Sequence, residues 1–224
     1  MWISRRRSSK IAISVVVLLC AFGLYESLDA TAALFRPLAD SPMADLFDYP
    51  VWSLTHFVPG GLFMMLAPLQ LWAGFRNRHR SVHRWSGRLV VACALVLGVS
   101  GLAFPFTMPA RPPAERLFMT LFGVAFIVCV SIGFAAARRR DFARHREWMI
   151  RLVVTGLTIT MQRVLLGIFI AAGGVESVDQ FWSYFVSAAW AAWALQVAAA
   201  EWWIRRGGRL AARPTASRLE PRAV

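Results

Sequence analysis

Apolar residues run along this chain in six long blocks, separated by short polar segments. The blocks cover about residues 11–28, 52–75, 87–106, 115–137, 150–172 and 181–204. A helix needs roughly 20 largely apolar residues to cross the hydrocarbon core of a bilayer, and each block comes near that length. The pattern therefore predicts an all-α integral membrane protein with six spans, and the 58% content of hydrophobic residues agrees with that fold class.

The basic residues predict how the spans are oriented. They give the chain a net charge of +13 and gather near residues 5–10, 76–88 and 138–151 and from residue 205 onward, whereas the alternate loops are nearly neutral or acidic. Lys and Arg concentrate in cytoplasmic loops, so both termini are expected in the cytoplasm, with the chain in the inner (plasma) membrane. Topology signals explain the charge without a nucleic-acid partner.

The same reading divides the chain into three parts. Residues 1–10 form a basic cytoplasmic N-terminus, residues 11–204 form the six-helix transmembrane domain, and residues 205–224 are expected to be a disordered basic tail. The first helix is expected to be retained, although "ATA" at 30–32 also resembles the cleavage site of a signal peptide. Cys20, Cys93 and Cys129 lie in separate apolar blocks and are expected to be small core residues.

Two basic loops resemble each other. The words "HRWSGRLVV" at 83–91 and "HREWMIRLVV" at 145–154 share His-Arg, a tryptophan, an arginine and Leu-Val-Val, and the preceding helices share the similar words "LFMML" at 62–66 and "LFMTL" at 117–121. We therefore predict that spans two to five form a duplicated hairpin. Two such hairpins would pack as a four-helix core, with spans one and six outside it or across its ends.

His83 and His145 occupy matching positions in the two loops. In a duplicated bundle their imidazoles would face each other at one depth, which suits two axial ligands of the iron of haem b. The alternatives are a structural role at helix ends or lipid headgroups, a non-haem metal, or a proton-linked role. His79 has no counterpart in the second loop and is expected to be a solvated loop residue.

The residues beside these histidines extend the haem hypothesis. Trp85 and Trp148 would pack on the edge of the ring or anchor the helices at the membrane interface. Gly87 lies four residues after His83, on the same helix face, where a missing side chain would leave room for a planar ring. The candidate partners of the haem propionates are Arg84, Arg88, Arg146 and Arg151.

A second candidate site is a binding pocket of His56, Gln70 and Arg163. By helical rise, His56 lies roughly 6 Å inside the second span and Arg163 roughly 18 Å beyond Arg151, and ionisable residues at such depth are costly and often functional. No carboxylate apart from Glu115 is expected at a comparable depth. The partner of Arg163 would then be a bound anion, a quinone carbonyl, a propionate or a network of structural hydrogen bonds.

"VPGG" at 58–61 interrupts the second span just past His56. Proline removes a backbone donor and glycine adds flexibility, so the word would kink the helix and widen a pocket there. Close packing of helices through small residues is the alternative.

The chain also resembles a known family. His56, "PGG", Gln70, "HRWSGR", "HREWMIR" and Arg163 are similar to the bacterial predicted membrane proteins known as domain of unknown function twenty-three-oh-six, over roughly residues 50–175. This resemblance implies several spans and no established chemistry. A weaker resemblance, through His83 and His145, is to the di-haem transmembrane cytochromes b, which would imply haem; His56 lacks the histidine partner that a second haem needs.

These observations leave three functions open. The first is a haem-binding redox protein that passes electrons to or from a quinone-like molecule. The second is a non-redox binding or transport protein with a pocket for an anion or lipid headgroup around Arg163, and the third is a structural partner in membrane assembly. Hydrolases and dinucleotide-binding enzymes are disfavoured, because their motifs are missing from the sequence.

Overall fold

A computed structural model describes residues 2–34, 49–107 and 111–211, with side chains from residue 11 to residue 206 of these ranges. Within them the regular elements are eight α-helices, so the predicted all-α class is confirmed. They are α1 (Trp2–Ala33), α2 (Pro50–Leu71), α3 (Ala73–Arg78), α4 (Arg80–Thr107), α5 (Pro113–Arg138), α6 (Phe142–Gly156), α7 (Thr158–Gly173) and α8 (Val178–Ala211).

Five segments of the described chain are long and apolar enough to cross a membrane. They are Ile11–Ala33, Pro50–Leu71, Arg80–Thr107, Pro113–Arg138 and Phe142–Gly173, the last comprising α6 and α7 together. The predicted sixth span, residues 181–204, lies within α8, which is not among the five. Length is not the reason, since α8 has 34 residues. The chain is thus a multi-pass helical membrane protein.

Each long helix packs against its neighbours in chain order, from α1 against α2 to α7 against α8, and α1 also contacts α7. The buried core draws from α1, α2, α4, α5 and α6, with Cys20, Phe63, Val90, Val130 and Leu152 among its members. The first helix is therefore part of the core rather than an outlying helix. All three cysteines are buried and unpaired, as expected for small core residues.

Glycines set the closest approaches between helices. A Cβ placed on Gly156 would lie 2.7 Å from the ring of Phe63, so a larger residue there would push α6 away from α2. In the "VPGG" word, a Cβ on Gly60 or Gly61 would come within 3.5 Å of Ser27 on α1. The structure therefore supports close packing of α1 on α2 through small residues, and α2 continues as a helix past Pro59.

The helix of the fifth predicted span is broken at Leu157, which the sequence pattern did not predict. Gln196 of α8 donates a hydrogen bond of 3.0 Å from Nε2 to the Leu157 carbonyl, which also accepts one from the amide of Met161. The span predicted at 52–75 ends instead at Leu71, because Trp72 takes an extended backbone (ψ 106°) before the short helix α3.

The last helix is longer than the sequence predicts. Residues 205–211, expected to belong to a disordered tail, continue α8 to Ala211. Arg205 lies 3.9 Å from Glu201, four residues earlier, and the Arg206 guanidinium lies 5.0 Å above the Trp202 ring. Pairs at this spacing stabilise a helix. The rest of the predicted tail, residues 212–224, lies outside the described residues.

Candidate functional site

A cavity of about 380 Å³ lies among the helices, between the carboxyl-terminal half of α1, the middle of α2, the second half of α4, the first half of α5, the first turns of α7, and α8. We call it the central cavity. Aromatic rings form much of its wall, including Phe57, Phe104, Phe118, Phe122 and Phe185, and Phe63, Phe126 and Gly156 also line it. Its polar lining residues are Glu26, Ser27, Asp29, His56, Arg111, Glu115, Thr160, Gln162 and Arg163.

Arg163 lines the cavity and faces a carboxylate that the sequence reasoning missed. Its Nε lies 3.9 Å from Oε2 of Glu26, and its guanidinium lies 5.4 Å from the centre of the Phe185 ring. The expectation that no carboxylate other than Glu115 shares this depth was therefore wrong. The physical reason is the position of α1, which contacts both α2 and α7 and so carries Glu26 to the cavity.

A second ion pair lies on another part of the cavity wall. Arg111 Nη1 donates a hydrogen bond of 3.1 Å to Oε1 of Glu115, four residues later on α5, and both side chains are buried. The Arg111 guanidinium also lies 5.3 Å from the ring of Trp182 on α8. The sequence singled out Glu115 as a residue that turns inward but did not predict the role of Arg111, whose position before the helix looked like part of a loop.

The hydrogen bond between His56 and Ser100 fixes the tautomer of His56. Its Nδ1 lies 2.9 Å from Oγ of Ser100, and that oxygen lies 2.8 Å from the carbonyl of Val96. A carbonyl can only accept, so the single hydroxyl proton of Ser100 goes to the backbone and Oγ accepts from His56 Nδ1. The other ring nitrogen, Nε2, then carries a lone pair, and His56 lines the cavity. His56 is thus a partly satisfied polar group with one remaining acceptor.

Gln162 lies next to Arg163 and is only 1% exposed. Its Nε2 donates a hydrogen bond of 3.2 Å to the carbonyl of Phe185 on α8. This contact orients the amide, because a carbonyl accepts only from the nitrogen side. The amide oxygen Oε1 is buried and has no hydrogen-bond partner in the structure, although the residue lines the cavity.

Gln70 does not join His56 and Arg163, which corrects the predicted pocket of three residues. It is absent from the lining of the central cavity, and its Nε2 donates a hydrogen bond of 2.7 Å to Oγ of Ser86. The reason is depth: Gln70 lies roughly 21 Å from His56 along α2 by helical rise. Its Oε1 also occupies the space beside Gly87, 3.1 Å from where a Cβ would be.

The two histidines predicted to bind haem lie at the opposite end of the bundle. We call residues 76–88 and 138–151, which form this end, the basic collar. His83 and His145 are each the fourth residue of a helix, α4 and α6, and they lie close enough to interact electrostatically. The central cavity does not reach either of them.

The two imidazoles have different surroundings. His145 Nδ1 donates a hydrogen bond of 2.8 Å to the carbonyl of Gly133, which leaves a lone pair on Nε2, the form that ligates metals. His83 Nδ1 is buried without a partner. A haem ligand usually has such a hydrogen bond behind it, so His145 fits that role and His83 lacks the support. His79 is exposed between α3 and α4, as predicted.

Two of the arginines predicted to bind propionates, Arg151 and Arg88, contact other side chains of the protein. Arg151 donates two hydrogen bonds to Glu201 of α8, from Nε at 2.6 Å and from Nη2 at 3.2 Å, so a protein carboxylate holds the position predicted for a propionate. Arg84 and Arg88 are exposed. The guanidinium of Arg88 lies 4.6 Å above the Trp85 ring.

The Trp85 and Arg88 contact has a counterpart in the second loop. Arg151 lies 4.8 Å above the ring of Trp148, at the same spacing of three residues. The repeated words thus build the same local contact twice, as a duplicated hairpin predicts. Duplication itself stays a prediction, because the two loops differ: the first contains α3, whereas Asp141 caps the second by accepting a bond from the amide of Arg144.

Comparison with known families identifies the class of the chain. Residues 53–204 match the family described as predicted membrane protein (DUF2306), which is more than half of the chain, so the protein belongs to this family. Comparison with curated proteins and with solved structures gives no match. The family assignment agrees with the helical membrane fold and carries no assigned chemistry.

Proposed function

We propose that the protein crosses the bacterial inner membrane six times, with both termini in the cytoplasm. Three contacts pair α8 with α7 and α6 in antiparallel order: Phe185 with Gln162, Gln196 with Leu157, and Glu201 with Arg151. Because α8 runs beside α7 and α6 over this length, it crosses the membrane where they do. The basic collar faces the cytoplasm by the distribution of Lys and Arg, and the contribution of α1 to the core and the cavity favours its retention.

We further propose that the central cavity binds a small amphipathic ring compound of the quinone type. Small-molecule sites are concave and mostly apolar, with a few polar groups that orient the ligand. The observation that carries the proposal is that His56, Gln162 and Arg163 line the same cavity as several aromatic rings. Aromatic side chains favour a planar ring, and the N–H groups of a guanidinium suit a carbonyl or hydroxyl oxygen.

The charges of the cavity favour a ligand with a neutral head over an anion. Its described lining contains two arginines, Arg111 and Arg163, and three carboxylates, Glu26, Asp29 and Glu115. Both arginines already face a carboxylate. An anion would enter without an excess of positive charge to balance it, at a depth where uncompensated charge is costly. This argues against the phosphate or lipid headgroup that the sequence left open.

The test uses duroquinone, a fully substituted quinone that does not add thiols, titrated calorimetrically into the purified full-length protein in detergent. The wild type should bind it. Arg163→Leu should weaken binding roughly tenfold or more, since a hydrogen bond to a charged group contributes about 1.5–3 kcal/mol. Arg88→Leu, in the basic collar, should leave binding unchanged. Absence of binding by both duroquinone and its quinol to the folded wild type would refute the proposal.

A second candidate function is haem-linked electron transfer through the basic collar. Two observations favour it: the Nδ1–H tautomer of His145, and the matching positions of His83 and His145 as the fourth residues of α4 and α6. A bound haem b would supply one-electron chemistry. The protein, expressed with a haem supply, should then show a reduced-minus-oxidised absorption band that disappears in His83→Ala and in His145→Ala but persists in His79→Ala. A folded protein without this band would exclude the haem.

A further inference from the structure

The polar wall of the central cavity presents acceptors as well as donors. The proton of Ser100 is committed to the backbone, so His56 donates through Nδ1 and keeps the lone pair of Nε2. Among the described residues, His56 has no hydrogen bond other than that with Ser100. A molecule in the cavity that meets Nε2 is therefore best matched by a hydrogen-bond donor.

Gln162 gives an independent second acceptor. Its amide nitrogen is held by the carbonyl of Phe185, so Oε1 cannot be exchanged for the nitrogen by a flip of the amide without losing that bond. Oε1 is buried and has no partner in the structure. A buried amide oxygen without a donor costs about 1–3 kcal/mol. The residue lines the cavity but Oε1 itself has no accessible surface there, so a donor on a ligand reaches this oxygen when the side chain shifts on binding.

We propose that the site prefers the reduced, hydroxyl-bearing form of its ring ligand, a quinol, over the oxidised quinone. The inference rests on the proposed function of the cavity. A quinol hydroxyl donates a hydrogen bond to His56 Nε2 or Gln162 Oε1, while its oxygen can accept a hydrogen bond from the guanidinium of Arg163. The oxygens of a quinone can only accept hydrogen bonds. They therefore cannot pair with the lone pairs of His56 and Gln162, which are acceptors too.

The test compares three ligands with the same tetramethylated ring on the purified wild type: duroquinone, duroquinol kept reduced by dithionite, and the dimethyl ether of duroquinol. The quinol should bind roughly tenfold more tightly than the quinone, because a site that hydrogen-bonds a hydroxyl discriminates against analogues without one. The ether, which cannot donate, should bind at least as weakly as the quinone. Equal affinity for quinone and quinol would overturn this inference and leave the proposed function intact.

Variants then assign the preference to its residues. Gln162→Leu and His56→Phe should each reduce the ratio of quinol to quinone affinity. Thr55→Val, on an exposed neighbour of His56 whose hydroxyl is bonded to the backbone of its own helix, is the matched control. A wild-type ratio in both folded cavity variants would contradict the assignment. Failure of the wild type to bind any of the three ligands would instead refute the proposed function.

Discussion

The basic collar and the central cavity contain the same kinds of side chain in opposite circumstances. In the collar, Arg151 is bonded to Glu201 and His145 to the carbonyl of Gly133, so these groups serve contacts within the protein. In the cavity, His56 and Arg163 also have protein partners, yet both lie on the wall of a space of about 380 Å³. The lining of that space, rather than residue type, is the reason for proposing a binding site in the cavity and not at the two histidines of the collar.

The difference also shows what an internal repeat reveals. The repeated words place a tryptophan and an arginine at the same spacing twice, and both pairs form the same contact at the end of the bundle. Repetition therefore marks how the bundle is constructed. Residues on the cavity wall, such as His56 and Gln162, have no counterpart of the same type in the repeat, so the repeat does not point to them.

The largest effect should come from filling the cavity. Gly156→Leu places a side chain where even a Cβ would lie 2.7 Å from Phe63 and 3.3 Å from Phe126, so we expect it to abolish duroquinone binding in calorimetry. Gly167→Leu is the matched control, since a Cβ there meets nothing within 4 Å. A folded Gly156→Leu protein that binds like the wild type would place the ligand elsewhere.

A smaller effect, on stability alone, is expected from the collar. Glu201→Gln weakens the charged contact between α8 and α6, and should lower the free energy of unfolding by about 1–3 kcal/mol, measured as a lower melting temperature in detergent. Glu147→Gln is the control, since Glu147 lies 3.9 Å from Arg151 and is more exposed. Quinone affinity should stay unchanged in both. A parallel loss of affinity in Glu201→Gln would break the separation of the two regions.

The smallest effect is expected at the exposed arginine of the collar. Arg88→Ala removes the contact with Trp85, and exposed cation–π contacts contribute about 0.5–1 kcal/mol. The melting temperature should therefore fall slightly, and Arg84→Ala should change it less. If Arg88→Ala instead reduced ligand binding as strongly as Arg163→Leu, the collar rather than the cavity would hold the site.

The sequence predicts the construction of this fold better than the contents of its site. Long apolar blocks indicate segments surrounded by lipid, and basic loops indicate segments in water, so the helices can be predicted directly. The hydrogen bond from Gln196 to the Leu157 carbonyl joins residues thirty-nine positions apart, which no local pattern contains. Glu26 likewise reaches Arg163 only through the packing of α1. Gln70 is not part of the pocket with His56, because the two residues lie at different depths along α2.

The most direct test of the account is the protection of a single engineered thiol. Ile159→Cys places a thiol on the cavity wall, and Val82→Cys places one on the exposed surface of the basic collar. The native cysteines are buried and should react slowly. With a small methanethiosulfonate reagent, saturating duroquinone should slow labelling of the Ile159→Cys protein severalfold and leave the Val82→Cys protein unaffected. Protection of the Val82→Cys protein, or of neither, would contradict the assignment of function to the cavity.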